Sequence, residues 1–156
     1  MRLMEPFKPP NINLIWRLLW KLKPAPRTHL LMWNILFDNI PTGSNLMKRS
    51  FHGPFWCHLC RNEEENTDHL FLHYPTTKAH WNPVISHYLS LKLSQRHNIL
   101  DAWSTWCQSQ NGKSRNMPLL VCWSLWIARN HCIFNHKIPH WPTILLHTIA
   151  DYDLLP

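Results

Sequence analysis

The chain has 156 residues, 45% of them hydrophobic and 16% charged, which suits one domain with a core of its own and excludes a disordered chain. Its longest apolar run, Leu119 to Ala128, is broken by Ser124 and too short to span a bilayer, and three glycines against 13 prolines argue against an all-β sandwich or barrel. The formal net charge of +7 lies wholly in the first two fifths: Met1 to Arg61 holds nine basic and two acidic residues, whereas Asn62 to Pro156 balances seven against seven.

Asn11 or Asn13 is placed to cap a first helix carrying Ile12, Ile15, Trp16, Leu19 and Trp20 at three- and four-residue spacing, and Pro24 ends it. Lys23 to Arg27 forms a short stiff link. A second apolar helix is predicted from Thr28 through Leu31, Ile35 and Leu36 to Ile40, closed by Pro41; Thr42 or Ser44 caps a third, ending near Arg49. Phe51 to Tyr74 breaks periodicity and collects Cys and His residues, so it reads as a loop-rich module folded around something other than apolar side chains. Pro75 and Thr76 open a helix containing Trp81, Ile85 and Tyr88. A helix from about Leu100 to Gln108 and a glycine-containing loop from Asn111 to Asn116 follow. After Pro118 comes the most apolar helix, with Leu119, Trp123, Trp126 and Ile133 on one stripe, and a last helix spans roughly Thr143 to Ala150. The fold class is mainly α, with one part over residues 15–90 and a tryptophan-rich helical extension over 98–150 packed on it.

The five cysteines are an odd number, and Met1 to Pro10 carries no apolar stretch of the kind that directs secretion. Reduced thiols in the nucleus or cytoplasm follow, so the close pair Cys57 and Cys60 is asked first about metal. Two residues between them let one tight turn aim two thiolates at a single ion; His69 and His73, with three residues between, add two imidazoles. Cys57, Cys60, His69 and His73 are therefore a candidate tetrahedral Zn2+ site. The loop from Arg61 to Asp68 is too short for an ordinary ββα finger. The bland alternative is that both cysteines are small buried hydrophobes beside histidines that are abundant throughout. Glu63, Glu64 and Glu65 read as a solvated charge run, and Cys107, Cys122 and Cys132 as packing residues of apolar helices.

Arg17, Lys21, Lys23, Arg27, Lys48 and Arg49 are the candidates for phosphate contacts, with plain solvent exposure as the alternative for any one of them. Trp16, Trp20, Trp33 and Trp81 read as core rings, whereas Trp56, beside the cysteine pair, is placed to stack on an unpaired base.

Taken together, Ile15-Trp16-Arg17-Leu18-Leu19-Trp20-Lys21-Leu22-Lys23, Leu31-Met32-Trp33-Asn34-Ile35-Leu36, Ile40-Pro41-Thr42, Asn45-Leu46-Met47-Lys48-Arg49, Cys57-His58-Leu59-Cys60, Asp68-His69-Leu70-Phe71-Leu72-His73 and Trp81 resemble the zinc-binding domain of reverse transcriptases from plant LINE-type (non-LTR) retrotransposons. Trp123, Trp126, Ala128-Arg129-Asn130 and Ile133-Phe134 resemble the tryptophan-rich helix that follows it. The resemblance implies a Cys-Cys-His-Cys zinc site on Cys57, Cys60, His69 and a fourth cysteine just before the proline, where this sequence has Tyr74. A neutral phenol is a poor zinc ligand, with an ordinary pKa of about 10; His73 after a small shift, or water, are the substitutes.

No paired-Asp polymerase motif, phosphate-cradling glycine loop, endonuclease or RNase H signature is present. The expected function is a non-catalytic zinc-binding accessory module derived from a retroelement. It binds nucleic acid, RNA or single-stranded DNA, through its basic N-terminal half, with other retroelement proteins as further partners and no membrane. The rivals are a helical protein-interaction module presenting a groove near Trp123 and Trp126, and a decayed remnant without metal or nucleic-acid activity.

Overall fold

The computed structural model describes residues 11–81, 95, 96 and 98–156. It is mainly α, as the glycine-poor, proline-punctuated sequence predicts. Helix α1 (Ile12–Trp20) is capped by Asn11, whose side chain accepts from the Asn13 N–H at 2.9 Å, and it buries Ile15 and Leu19. Its two tryptophans are a correction to the expected core. Trp16 and Trp20 stay 48% and 38% exposed, packed on each other and, for Trp16, edge-on against Trp33, with both centroid separations 5.0 Å. Both rings lie against the next helix at its surface, Trp16 on Trp33 and Trp20 stacked on His29 at 5.0 Å, while Ile15 and Leu19 take the buried positions.

Helix α2 (Pro26–Leu36) opens on a proline, harmless where an N–H would be unsatisfied anyway. It ends earlier than the expected Ile40 because Asp38 takes a left-handed conformation, φ 53°, which reverses the chain. The Asp38 carboxylate then accepts from Thr67 Oγ1 at 2.5 Å and Asn45 Nδ2 at 2.9 Å. Burial works against its charge, but these bonds and Lys48 hold its carboxyl below the usual value. Helix α3 (Gly43–Lys48) is capped by Thr42, whose hydroxyl accepts from Asn45 N–H at 3.3 Å.

Residues 51–66 are loop, with a single antiparallel bridge between Trp56 and Glu64 as the one extended pairing among the described residues. A π-helical turn, His69–His73, follows, closed by the Tyr74 N–H on the His69 carbonyl at 2.7 Å. Helix α4 (Pro75–Trp81) comes next; the expected continuation through Ile85 and Tyr88 lies outside the described residues. Helix α5 (Ile99–Ser109) is capped by Asn98, and the predicted loop after it is a 3₁₀ turn, Gly112–Asn116. Helices α6 (Met117–Asn135) and α7 (Trp141–Asp153) complete the chain.

Helix α6 is the spine. Helix α2, the π turn, α4, the 3₁₀ turn and α7 all pack on it. Covered from several sides, its first turns are buried all round, Met117 to Cys122, so the predicted single stripe is replaced by a buried segment, with Trp123, Trp126 and Ile133 only half-buried. Met32 and Ile35 of α2, Leu70 and Phe71 of the π turn and Leu119 and Leu125 of α6 are almost wholly buried in one core; each such side chain stabilises by about 1.5–3 kcal/mol. Leu70 to Leu72 thus anchor the cysteine-bearing loop to the helical body. No helix among the described residues is long and apolar enough to cross a membrane.

Candidate metal centre

The loop doubles back on itself before the π turn. Glu65 N–H donates to the Phe55 carbonyl at 2.8 Å and Cys57 N–H to the Glu63 carbonyl at 2.8 Å, so residues 55–57 lie against 63–65. Between them the chain makes a knuckle, closed by Arg61 N–H on the Cys57 carbonyl at 2.7 Å with Arg61 in a left-handed conformation, φ 56°. The N–H groups of Cys60 and Leu59 point at the Cys57 sulfur.

This fold brings Cys57, Cys60 and His69 together, their ligand atoms all within 4.8 Å of one another. Cys60 Sγ and His69 Nε2 are 3.5 Å apart. A tetrahedral zinc with Zn–S of about 2.3 Å and Zn–N of about 2.05 Å has an S···N edge of about 3.6 Å, so the observed pair already has the required separation. Cys57 is fully buried and His69 nearly so. Burial pushes the Cys57 thiol up to about 12, opposed by the two N–H groups aimed at it. Those donors satisfy a thiolate, and a divalent cation supplies the charge that burial alone withholds. Two sulfurs and one imidazole nitrogen are a donor set that suits zinc.

His69 is held by Glu63, whose side chain is otherwise largely in solvent. Its Nδ1 lies 3.3 Å from Glu63 Oε2. A carboxylate only accepts, so Nδ1 carries the proton and Nε2 presents its lone pair toward Cys60. Glu63→Gln is expected to weaken zinc binding by about 10–100-fold, the usual effect of losing a carboxylate that orients a metal-binding histidine. Titration against a chelating dye reads this directly, and Glu64→Gln should leave the affinity unchanged.

Glu64 is exposed, as a solvated run predicts, whereas Glu65 departs from it. Glu64 accepts from Ser44 Oγ at 2.5 Å. Glu65 is fully buried and pairs with Arg129 of α6: Nη2 contacts Oε1 and Nε contacts Oε2 at 3.2 Å, while Nη2 also donates to the Pro41 carbonyl at 3.2 Å. Glu65 Oε1 further accepts from Gly43 N–H at 3.0 Å. A Cβ at Gly43 would sit 2.9 Å from the Phe55 carbonyl oxygen, so this approach of α3 to the loop requires glycine. The only sequence signal for the pair was Arg129 itself, a charged residue within an apolar helix.

His73 stands outside the cluster: among the described residues no metal-competent group includes it. It is half-buried, and burial holds its imidazole below the ordinary value despite Asp68. Tyr74 is buried beside the site, its ring 5.6 Å from that of His69. Cys107 and Cys122 are buried packing residues and Cys132 is half-buried.

A family described as zinc-binding in reverse transcriptase matches residues 4–81, half of the chain. The chain belongs to that family. Neither the curated proteins nor the solved structures contain a match. Membership in this zinc-binding family and the Cys57, Cys60, His69 cluster, which lies within the matched residues, point to the same ion.

Around this zinc-binding segment the expected phosphate contacts are all exposed: Arg17, Lys21, Lys23, Arg27, Lys48 and Arg49. Lys48 pairs with Asp38 at 3.3 Å, Arg49 Nη2 donates to the Asn39 carbonyl at 3.2 Å, and the Arg27 guanidinium lies 5.0 Å from the Trp123 ring. Trp56 is 51% exposed, tilted against Phe55, beside the knuckle.

Proposed function

We propose that the chain is a non-catalytic accessory module of retroelement origin, from a LINE-type reverse transcriptase, that holds one structural zinc and binds RNA or single-stranded DNA. The Cys57, Cys60, His69 cluster carries the reading. In it these three side chains are the protein ligands, and water takes the fourth position, because His73 stands outside and Tyr74 offers only a phenol. When bound, the zinc cross-links the knuckle to the π turn. Glu63 orients His69, and Leu59 and Cys60 N–H groups support the Cys57 sulfur. The exposed cations of α1, the following link and α3 supply phosphate contacts, and Trp56 supplies a face for an unpaired base.

Anisotropy of labelled RNA and single-stranded DNA across a salt series tests the binding. Affinity should fall linearly in log–log form, with a slope of about −0.7 per phosphate contact. No binding at about 50 mM salt, where such contacts are strong, would sink the reading. A protein-interaction role is supported by a cavity of about 420 Å3 between α6 and α7, lined in part by Trp123, Ile127, Ile138 and Ile144. Self-association in place of nucleic-acid affinity would favour it.

A further inference from the structure

Lys21 and Lys23, at the end of α1, share their surroundings with two cations from much later in the chain. Together with Lys113 and Arg115 of the 3₁₀ turn they line one cavity of about 360 Å3, walled on its apolar side by Leu22 and Pro156. The two segments are tied by Lys23 N–H donating to the buried Asn116 Oδ1 at 2.8 Å, across 93 residues of sequence. Arg115 is braced by its Nε on the Gln110 carbonyl at 2.7 Å, which leaves its other guanidinium nitrogens as donors. Lys113 is positioned by the Asp153 carbonyl at 3.0 Å and lies 5.1 Å from the Tyr152 ring. No aspartate or glutamate side chain lines the cavity, and among the described residues none of the four cations takes part in an ion pair.

Four like charges gathered with no acidic side chain among them repel one another, and a bound anion relieves that repulsion. The fork of Arg115 and the ammonium groups beside it suit the several oxygens of a tetrahedral phosphate better than a compact halide. We propose that this cavity seats a backbone phosphate of a bound nucleic-acid strand, so that Lys113 and Arg115 extend the basic surface beyond the N-terminal half. The assignment rests on the nucleic-acid reading above.

The test compares the full chain with Lys113→Glu/Arg115→Glu in anisotropy titrations of a labelled single-stranded RNA over a salt series, alongside calorimetric titration with inorganic pyrophosphate. About tenfold weaker RNA binding is expected, with the log–log salt slope reduced by about the contribution of one phosphate contact and zinc content unchanged. Because Arg115 also braces the turn, Lys21→Gln/Lys113→Gln provides a second variant with Arg115 intact; it should shift affinity and slope in the same direction. Wild-type RNA affinity and slope in both variants would overturn the cavity while leaving nucleic-acid binding intact. Pyrophosphate binding without RNA binding at low salt would overturn the strand assignment and the nucleic-acid reading together, leaving a small-phosphate site. Binding of neither would end both.

Discussion

Arg129→Met lowers the stability of the protein by about 3–5 kcal/mol, the usual cost of leaving one member of a buried ion pair without the other. Glu65 has no solvent exposure, and two of the nitrogens that reach it belong to Arg129. Among the described residues only the Gly43 N–H would remain on its carboxylate side chain. The pair also joins α6 to the loop that bears the cysteines, since the same guanidinium holds the Pro41 carbonyl. Urea unfolding followed by tryptophan fluorescence measures the loss. The double variant Arg129→Met/Glu65→Leu should recover a large part of it, because the stranded charge is gone while Gly43 alone loses a partner. A loss below about 1 kcal/mol for the single variant would mean that solvent reaches Glu65 and that the pair behaves like an exposed one.

Cys57→Ser is expected to abolish zinc binding and release the knuckle without unfolding the helical body. Structural zinc in small modules supplies about 10–16 kcal/mol of apparent binding free energy at neutral pH, so the ion dominates whatever it alone holds together. Residues 55–64 have few apolar anchors of their own: Cys57 is buried, but Leu59 is only half-buried and Trp56 and Arg61 are exposed. Leu70, Phe71 and Leu72, by contrast, belong to the main core with α2 and α6. Hydrogen exchange should therefore rise for the Cys57, Arg61 and Glu65 amides in the variant or after chelation, while the amides of α6 keep their protection. The thiols must release their protons to solvent when the ion binds, so zinc affinity falls as pH is lowered. Global loss of helicity on chelation would contradict the separation of loop and core.

Several helices were legible because they carry their own punctuation: Asn11 and Thr42 cap and Pro75 opens, whereas α2 starts at Pro26, inside the expected link, and Asp38 and His136 end helices by left-handed turns. The first two kinds of signal are local and readable. A left-handed Asp38 is not, and so α2 ended earlier than its apolar pattern suggested. Cys57, Cys60 and His69 were legible because spacing limits which side chains a knuckle can aim at one point. His73 lies outside that group, and spacing alone does not show which of two neighbouring histidines the knuckle faces. Glu63 and Glu65 were hidden because their partners, His69 and Arg129, lie 6 and 64 residues away, and nothing in a run of three acids distinguishes the buried one. Lys113 and Arg115 were hidden for a related reason, since charge counted along the chain cannot show that a turn near the end returns to α1.

Native mass spectrometry of the protein purified under reducing conditions, beside Cys60→Ser, His73→Ala and Tyr74→Phe, tests the metal centre most directly. One zinc per chain is predicted, lost in Cys60→Ser and retained in both His73→Ala and Tyr74→Phe. A folded wild-type protein without zinc would contradict the central claim, and loss of the ion in His73→Ala would contradict the three-residue ligand set.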